Sequence, residues 1–255
     1  MLLGIVAFAL VTYGVVLEFD HSIRNSLPEA DRDAAIWKCA TKLSGKDSME
    51  ATNSPRKIAV QEFLAGVASK VDAPDTICSW QTNFGTLYNL FILRESLSVQ
   101  DQSWYPSHLL TGASDVCRWA RVKCNVQKNV QGIFLNHANL TGTIPMEIVG
   151  LADSLTTLNL FTNENIIGTI PAEMGGLSNL EHLFLQETSI AGSVPSVLGS
   201  LTKLKELLLD RTNLTGTIPS EICNLRLHEL ESLHADCRKL HPRVHCTGSC
   251  CTTCN

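Results

Sequence analysis

The sequence repeats one short motif at a nearly constant interval. Gly-x-Ile/Val-Pro occurs four times, and its prolines are 26, 24 and 24 residues apart: Pro145, Pro171, Pro195 and Pro219. Leucines recur at matching positions between the prolines, as in Leu177, Leu180, Leu183 and Leu185 and in Leu201, Leu204, Leu207 and Leu209. A chain that returns every 24 residues stacks equivalent positions of successive turns, so these apolar side chains form one core. The repeat predicts an elongated coil whose turns are stable only beside their neighbours.

Each turn contains a short Leu-x-Leu unit, which predicts one strand of a parallel sheet. The units are Ile133 to Leu135, Leu158 to Leu160, Leu183 to Leu185, Leu207 to Leu209 and, less regular, Leu233 to Ala235. Alternate residues of a strand point to opposite faces of the sheet, so the leucines point into the core. The residues between them, Phe134, Asn159, Phe184, Leu208 and His234, then form a row on the inner curve of the coil.

This repeat resembles the plant-type leucine-rich repeat, LxxLxxLxLxxNxLxGxIPxxLGx. The resemblance implies an α/β solenoid, a right-handed coil with a short parallel sheet on its concave face, a helical N-terminal cap and a disulfide-rich C-terminal cap. The family places a buried ladder asparagine in each turn, where this chain has Ala138, Asn163, Thr188 and Thr212. The ladder is therefore expected to be incomplete, because Ala138 has no polar side chain. The two extra residues before Pro171 are expected as bulges near Ser154 and Asn165.

A second resemblance lies just before the repeats. Cys117-Arg-Trp119-Ala-Arg121-Val-Lys-Cys124 is similar to the family's N-terminal cap signature C-x-W-x-G-V-x-C, with Arg121 in place of the glycine. It implies a disulfide between Cys117 and Cys124, and a tryptophan that covers the first turn. Upstream, a helix is predicted from about Gly85, with one apolar stripe that contains Leu87, Leu90, Phe91 and Leu97.

The C-terminal tail is rich in cysteine and resembles that of secreted leucine-rich-repeat proteins from diatoms, a group of receptor-like or adhesive ectodomains. Its six cysteines, Cys223, Cys237, Cys246, Cys250, Cys251 and Cys254, allow 15 pairings, and only a bond between the adjacent Cys250 and Cys251 is disfavoured. Cys39 and Cys78 complete an even number. A zinc site that includes His241 or His245 is the alternative, although such sites favour reducing compartments.

The N-terminus predicts export. Leu2 to Leu17 contains no charged residue, and acidic residues follow at Glu18 and Asp20. Sixteen helical residues span about 24 Å, less than the roughly 30 Å of a bilayer core, so either a cleaved signal peptide or an uncleaved signal anchor fits. Both topologies place the folded domain on the extracytoplasmic side, either extracellular or at the plasma membrane.

The sequence thus divides into five parts. We assign residues 1–20 to the signal peptide or anchor and 21–53 to a weakly structured stalk around Trp37 and Cys39. Residues 54–129 form the helical N-terminal cap region, 130–236 the repeats, and 237–255 the cysteine-rich cap.

Several classes of function lack their sequence signals. The net charge of −5 argues against nucleic-acid binding, which needs a clustered basic face. We find no Gly-x-Ser-x-Gly elbow, no His-Glu-x-x-His and no kinase motif. The sequence therefore predicts no enzyme, no cofactor and no resident metal. His182 and Glu206 are expected to be neighbours on adjacent turns, more simply as solvated residues than as an acid/base pair.

The expected function is recognition of a protein, peptide or glycan ligand on the concave face, with a co-receptor as a possible further partner. The alternative is a structural or adhesive spacer without a specific ligand. Ligand contact is predicted at an apolar row with charged neighbours: Phe134, His137, Phe161, His182, Phe184, Glu206, Leu208, Asp210 and Arg211. The sequons at Asn139 and Asn213 are predicted to face solvent and to accept glycans.

Overall fold

The computed structural model describes Ala34, Trp37, Thr41 and residues 83–98, 116–237, 243–248 and 250–255. These ranges contain two α-helices, α1 (Asn83–Ser96) and α2 (Ser220–Asn224). Thirteen short strands accompany them: β1 (Val122–Cys124), β2 (Val130–Phe134), β3 (Thr141–Gly142), β4 (Thr157–Asn159), β5 (Asn165–Ile166), β6 (His182–Phe184), β7 (Ala191–Gly192), β8 (Glu206–Leu208), β9 (Asn213–Leu214), β10 (Gly216–Thr217), β11 (Ser232–Ala235), β12 (Val244–His245) and β13 (Thr253–Cys254). Short 3-10 segments at Met146–Leu151, Ala172–Gly176 and Ser196–Ser200 each follow a repeat proline.

One sheet runs along the whole coil. Its seven strands follow the order β1-β2-β4-β6-β8-β11-β13, with β1 antiparallel to β2 and the other pairs parallel. Leu158 pairs with Leu183, and Leu183 pairs with Leu207, so the Leu-x-Leu units lie in register. The predicted parallel solenoid is confirmed, although the strands of the middle turns begin and end one residue earlier than predicted.

The repeated leucines form the core. Leu158, Leu183 and Leu207 are all 0% exposed, as are the leucines around them. Three two-stranded parallel pairs, β3-β5, β7-β9 and β10-β12, connect neighbouring turns outside the main sheet. Each turn therefore buries its apolar side against the next, as the repeat period predicts.

The ladder is incomplete, and Asn163 provides most of its bonds between the first two turns. Its side-chain oxygen accepts hydrogen bonds from the backbone N–H groups of Ala138 and Leu140, at 3.1 and 3.0 Å. Its amide donates to the carbonyls of Leu135 and Leu160, at 2.9 and 2.7 Å. Asn163 thus compensates for the missing side chain of Ala138 from the following turn.

The threonines at the ladder position act differently. Thr188 and Thr212 each donate a hydrogen bond to a carbonyl of their own turn, Leu185 and Leu209, at 2.7 and 2.8 Å. In the last turn, the Asp236 carboxylate accepts the backbone N–H groups of Arg211 and Thr212 in the turn before it. Asparagine and aspartate therefore bond between turns here, while threonine bonds within one.

Helix α1 packs on the first turn. Its C-terminal carbonyls at Ser96 and Leu97 accept the backbone N–H groups of Thr143 and Thr141. Gly142 lies between these bonds with φ +100°, and a Cβ on it would lie 2.1 Å from the Ser96 oxygen. Only glycine fits this approach, which explains the glycine of the first Gly-x-Ile-Pro motif.

The interior of α1 is buried on every side and carries more than the single apolar stripe expected. Tyr88, Leu90, Phe91, Ile92 and Leu93 are at most 1% exposed. Asn89 lies among them at 1% exposure, and within the part of the chain that the structure describes neither polar atom of its amide has a hydrogen-bond partner. A buried amide without partners opposes folding.

We expect Asn89→Leu to stabilise the protein by about 1 to 3 kcal/mol, because leucine has a similar size and needs no hydrogen bonds. Equilibrium unfolding of both proteins in guanidinium chloride measures the difference. Asn224→Leu, at an exposed position, is the control and should change stability by less than about 0.5 kcal/mol. A less stable Asn89→Leu variant would show that this amide is hydrogen-bonded in the folded protein.

The N-terminal cap combines a disulfide with a buried tryptophan. The sulfur atoms of Cys117 and Cys124 lie at bonding distance, 1.96 Å. Trp119 is 2% exposed and packs edge-to-face on Phe91 of α1, with ring centroids 5.9 Å apart. Arg121 adopts φ +66°, a conformation that favours the glycine of the related signature. The arginine donates a hydrogen bond to the Asn136 carbonyl at 2.9 Å.

The C-terminal cap covers the last turn. Three disulfides join Cys223 to Cys250, Cys237 to Cys254 and Cys246 to Cys251. Strand β13 adds to β11 at the end of the main sheet, and β12 pairs with β10. The sulfur atoms of Cys237, Cys246 and Cys251 lie within 4.8 Å of one another, but all three are disulfide-bonded. The cysteines of the alternative zinc site therefore offer no free thiolate in this structure.

Several predictions fall on residues outside the described ranges. These include the segment Leu2 to Leu17, the two further cysteines Cys39 and Cys78, and His241. Ala34, Trp37 and Thr41 are helical, and Trp37 packs against the core. The other residues of the stalk predicted at 21–53 lie outside the described ranges, and the stalk stays a prediction. Among the described residues, no helix has the length and apolar character that a membrane crossing requires.

Candidate functional site on the concave sheet

The outward side of the main sheet carries the candidate site. The row predicted to face outward is half-buried, whereas the leucines beside it are fully buried. Its members are Phe134, Asn159, Phe184, Leu208 and His234. We call this side of the sheet the concave face.

The aromatic residues of the concave face have identifiable neighbours. Phe134 lies over Gly132 of its own strand, so a Cβ on that glycine would lie 2.6 Å from the ring. Phe161 packs edge-to-face on His137 of the preceding turn, with ring centroids 5.0 Å apart. All three phenylalanines, including Phe184, keep part of their surface accessible. They therefore form a shallow apolar surface at the predicted positions.

His182 and Glu206 are neighbours, as the repeat frame predicts. The two residues are paired across β6 and β8, and the His182 Nδ1 atom lies 2.8 Å from a Glu206 oxygen. Phe184 and Leu208 are paired in the same two strands. The structure thus joins four of the predicted contact residues in one patch.

A hydrogen-bonded ion pair lies at the start of the same strands. Lys205 Nζ is 2.8 Å from the Glu181 carboxylate. This hydrogen bond holds the pKa of Glu181 below its usual value and raises the pKa of Lys205. Partial burial acts against the shift of Glu181 without reversing it. The glutamate therefore contributes stability above its unfolded-state pKa, and this contribution is lost as the pH falls through its folded-state pKa.

We expect Lys205→Met to raise the pKa of Glu181 toward its ordinary value, because the hydrogen bond and the opposite charge are both removed. An NMR titration of the glutamate side-chain carbons measures this change. Lys203→Met is the control, since Lys203 bonds to Asn179 at 2.7 Å and exerts a weaker influence on Glu181. An unchanged Glu181 titration in Lys205→Met would contradict the assigned cause.

A repeated backbone conformation sets the rim of the concave face. His137, Thr162, Glu187 and Arg211 occupy equivalent positions after their strands, and all have φ between 53° and 56°. The Arg211 guanidinium forms an ion pair with Glu187, which also accepts a hydrogen bond from Thr162 at 2.8 Å. Arg211 therefore lies at the rim, beyond the central patch.

Asp210 occupies the C-terminal part of the face. Its side chain is only 10% exposed and accepts a hydrogen bond from the Asn255 amide at 2.7 Å. His234 Nδ1 lies 3.8 Å away, while its Nε2 atom lies 3.1 Å from Ser232 Oγ. The 3.8 Å separation is longer than a hydrogen bond, so Ser232, His234 and Asp210 do not form a continuous relay in this structure.

Sequence reasoning missed some residues of this region. Ser232, Gln186, Asp236 and Asn255 lie on or beside the face without having been predicted as contacts. For Ser232 part of the signal was available, because it lies two residues before His234 and directly before the predicted strand Leu233 to Ala235; it shares the face of His234 because β11 begins one residue earlier than predicted. Asn255 carried no such signal, since only the folded tail brings it to Asp210.

A polar cleft of about 830 Å³ lies beside the rim. Its lining includes Glu164, Glu187, Arg211, Asn213 and Arg243. Arg243 donates a hydrogen bond to the Asn213 side chain at 2.7 Å. Both predicted glycan acceptors, Asn139 and Asn213, are exposed, but only Asn213 lies in this cleft.

Comparisons with known proteins agree with the repeat architecture. The sequence profile of the Leucine Rich Repeat family matches residues 203–225. No curated protein matches the chain. Among solved structures, a chain of the BIR3–SERK2 complex from Arabidopsis thaliana is 26% identical with a TM-score of 0.50, and the match covers 61% of this chain and 80% of that one.

Two further Arabidopsis thaliana structures are similar. The leucine-rich-repeat ectodomain of the receptor kinase SOBIR1 is 23% identical with a TM-score of 0.49, covering 64% of this chain and 81% of that one. The leucine-rich-repeat ectodomain of the receptor kinase HAESA, in complex with an N-terminally extended IDA peptide hormone, is 30% identical with a TM-score of 0.47. That match covers 58% of this chain and 24% of the HAESA chain. The family match, the stacked parallel sheet and the likeness to the BIR3–SERK2 chain show that this chain has a leucine-rich-repeat solenoid fold.

Proposed function

We propose that the chain is an extracytoplasmic recognition module that binds a protein or peptide through its concave face. The observation that carries this proposal is the accessible apolar surface of Phe134, Phe161, Phe184 and Leu208, bordered by charged residues. Such a surface on a soluble domain is typical of an interaction site. The similar Arabidopsis thaliana structure is itself a complex of two proteins, BIR3 and SERK2, which favours a protein or peptide over a glycan.

The proposal includes a location outside the cytoplasm. Four disulfides within the described residues support it, because such bonds persist in oxidising compartments. The uncharged N-terminal segment supports the same location, as either a cleaved signal or a membrane anchor.

A displayed library of random peptides tests the binding proposal. We expect the full chain to select peptides that bind it, and Phe184→Ala to weaken their binding by about 1 to 3 kcal/mol, as expected for a central aromatic anchor. Replacement of Phe134, Phe161 and Phe184 together should cost at least about tenfold in affinity. Fluorescence anisotropy with a labelled selected peptide measures both effects.

The control replaces three exposed apolar residues elsewhere, Met146, Val197 and Leu227, with alanine. We expect this variant to bind normally. Equal affinity of the wild-type protein and the triple phenylalanine variant would move the recognition surface away from the concave face. Selection of no peptide at all would favour the alternative function, an adhesive or structural spacer.

A further inference from the structure

We propose that the concave face contains a subsite for a lysine or arginine side chain of a peptide ligand, centred on Leu208. This inference rests on the proposed function and adds the chemical class of the ligand. The subsite consists of Phe184, Glu206, Leu208 and Asp210, which we call the Leu208 patch.

The geometry places apolar surface between two carboxylates. Glu206 and Leu208 alternate along β8, so their side chains leave the same side of the sheet. Asp210 lies two residues past the end of β8, and its carboxylate lies 3.8 Å from His234 of the outward row. The Cα atoms of Glu206 and Asp210 are each about 7 Å from the Cα atom of Leu208 at the rise of an extended chain. Phe184 lies beside Leu208 on the neighbouring strand, about 5 Å away. The patch therefore offers an apolar centre with a negative charge on either side.

Other acidic residues of this region already have partners. Glu181 pairs with Lys205, and Glu187 pairs with Arg211. Asp236 accepts the backbone N–H groups of Arg211 and Thr212. These three carboxylates are neutralised or hydrogen-bonded within the fold. Glu206 is hydrogen-bonded to His182 and Asp210 to the Asn255 amide, but neither carboxylate forms an ion pair with a lysine or arginine among the described residues.

Glu206 and Asp210 are each contacted by a histidine from an adjacent turn. His182 lies 2.8 Å from Glu206, and His234 lies 3.8 Å from Asp210. Neither contact is with a lysine or an arginine. Asp210 is also largely buried, with a side chain 10% exposed. A buried carboxylate is stabilised by a nearby cation, so a basic ligand group gains more there than in water.

The chemistry of lysine and arginine fits this arrangement. Both have an apolar stem that packs on surfaces such as Phe184 and Leu208, and a cationic end that pairs with a carboxylate. The cation is also attracted to the face of an aromatic ring. The net charge of the chain, −5, favours the approach of a basic peptide over an acidic one.

The test is a parallel peptide selection at pH 8. The full chain and its Glu206→Gln, Asp210→Asn and Glu173→Gln variants are each presented with the same random library. Glu173 is exposed in the 3-10 segment Ala172–Gly176 and serves as the matched control. Thermal unfolding of each variant verifies that it is folded.

We expect the wild-type and Glu173→Gln pools to be enriched in lysine and arginine at least twofold over the input library, and the Glu206→Gln and Asp210→Asn pools to lose this enrichment. In a selected peptide, replacement of the basic residue by norleucine should cost at least about tenfold in affinity for the wild-type protein. The same replacement should cost less than about threefold for the variant whose carboxylate is the partner. This difference in a double-mutant cycle isolates the contact between the two charges.

Two results overturn the inference while leaving the proposed function intact. One is a set of peptides that needs Phe184 but shows no basic enrichment. The other is basic enrichment that persists unchanged in both carboxylate variants. Failure of the proposed function has a different signature, namely that no peptide is selected or that none depends on the concave phenylalanines.

Discussion

Asn163→Ala is expected to lower the free energy of unfolding by about 3 to 5 kcal/mol. The substitution removes one side chain that bonds five backbone groups. These are the N–H groups of Ala138 and Leu140 and the carbonyls of Leu135, Leu160 and Phe161. Asn163 itself is 1% exposed, so water replaces these bonds poorly. Each buried group left without a partner costs about 1 to 3 kcal/mol, and the costs are not fully additive. Equilibrium unfolding in guanidinium chloride measures the loss.

Asn163→Thr is the informative control for this substitution. Threonine occupies the equivalent positions 188 and 212, where it donates to a carbonyl of its own turn. We expect it to recover the bond to Leu160 but not those to Ala138 and Leu140, and therefore to be intermediate in stability. Equal stability of Asn163→Thr and the wild-type protein would show that bonds between the first two turns are not needed.

The second large effect is expected at the C-terminal cap. Replacement of Cys223 and Cys250 together by alanine should lower the free energy of unfolding by about 3.5 kcal/mol. The disulfide closes a separation of 27 residues and joins α2 to the tail. In the chain-entropy account, its loss increases the freedom of the unfolded chain and thereby favours unfolding. The substitution also loosens the tail over the last turn of leucines.

The matched control is the double alanine variant of Cys246 and Cys251, whose disulfide closes only 5 residues. The same reasoning gives it a smaller cost, about 2 kcal/mol. Both variants should be measured by denaturant unfolding under non-reducing conditions, with peptide mapping to verify the remaining disulfides. A larger loss for the short loop than for the long one would contradict the entropic explanation and point to packing of the tail.

The sequence predicted much of the candidate face, because a repeat fixes which residues are equivalent. Once Leu183 and Leu207 occupy the same position in adjacent turns, His182 and Glu206 must lie side by side, and the structure places them 2.8 Å apart. The same frame placed Phe184 beside Leu208. The equivalence of repeat positions could not predict which groups pair with the acidic side chains. The partners of Glu187 and Asp210 depend on side-chain conformations and on the position of the C-terminal tail.

The sequence also predicted only part of the backbone conformation and burial near the N-terminal cap. The glycine of the first repeat motif is explained by the approach of Ser96, which belongs to a helix more than forty residues upstream. Arg121 adopts the positive φ of the glycine it replaces. The burial of α1 on all sides was not visible in its spacing, because a helix with one apolar stripe and a helix enclosed by the rest of the chain can share the same leucines.

The sequence by itself determined the period of the coil, the register of its strands and the residues that face inward and outward. These follow from a repeat of about 24 residues and from the alternation of side chains along a strand, both of which are local properties. The tertiary structure alone decided the pairing of the six tail cysteines, the addition of β13 to the sheet and the bonds made by Asn163, Asp236 and Asn255. These contacts join residues that are distant in the chain, so they depend on distances in space that a pattern of residue types does not contain.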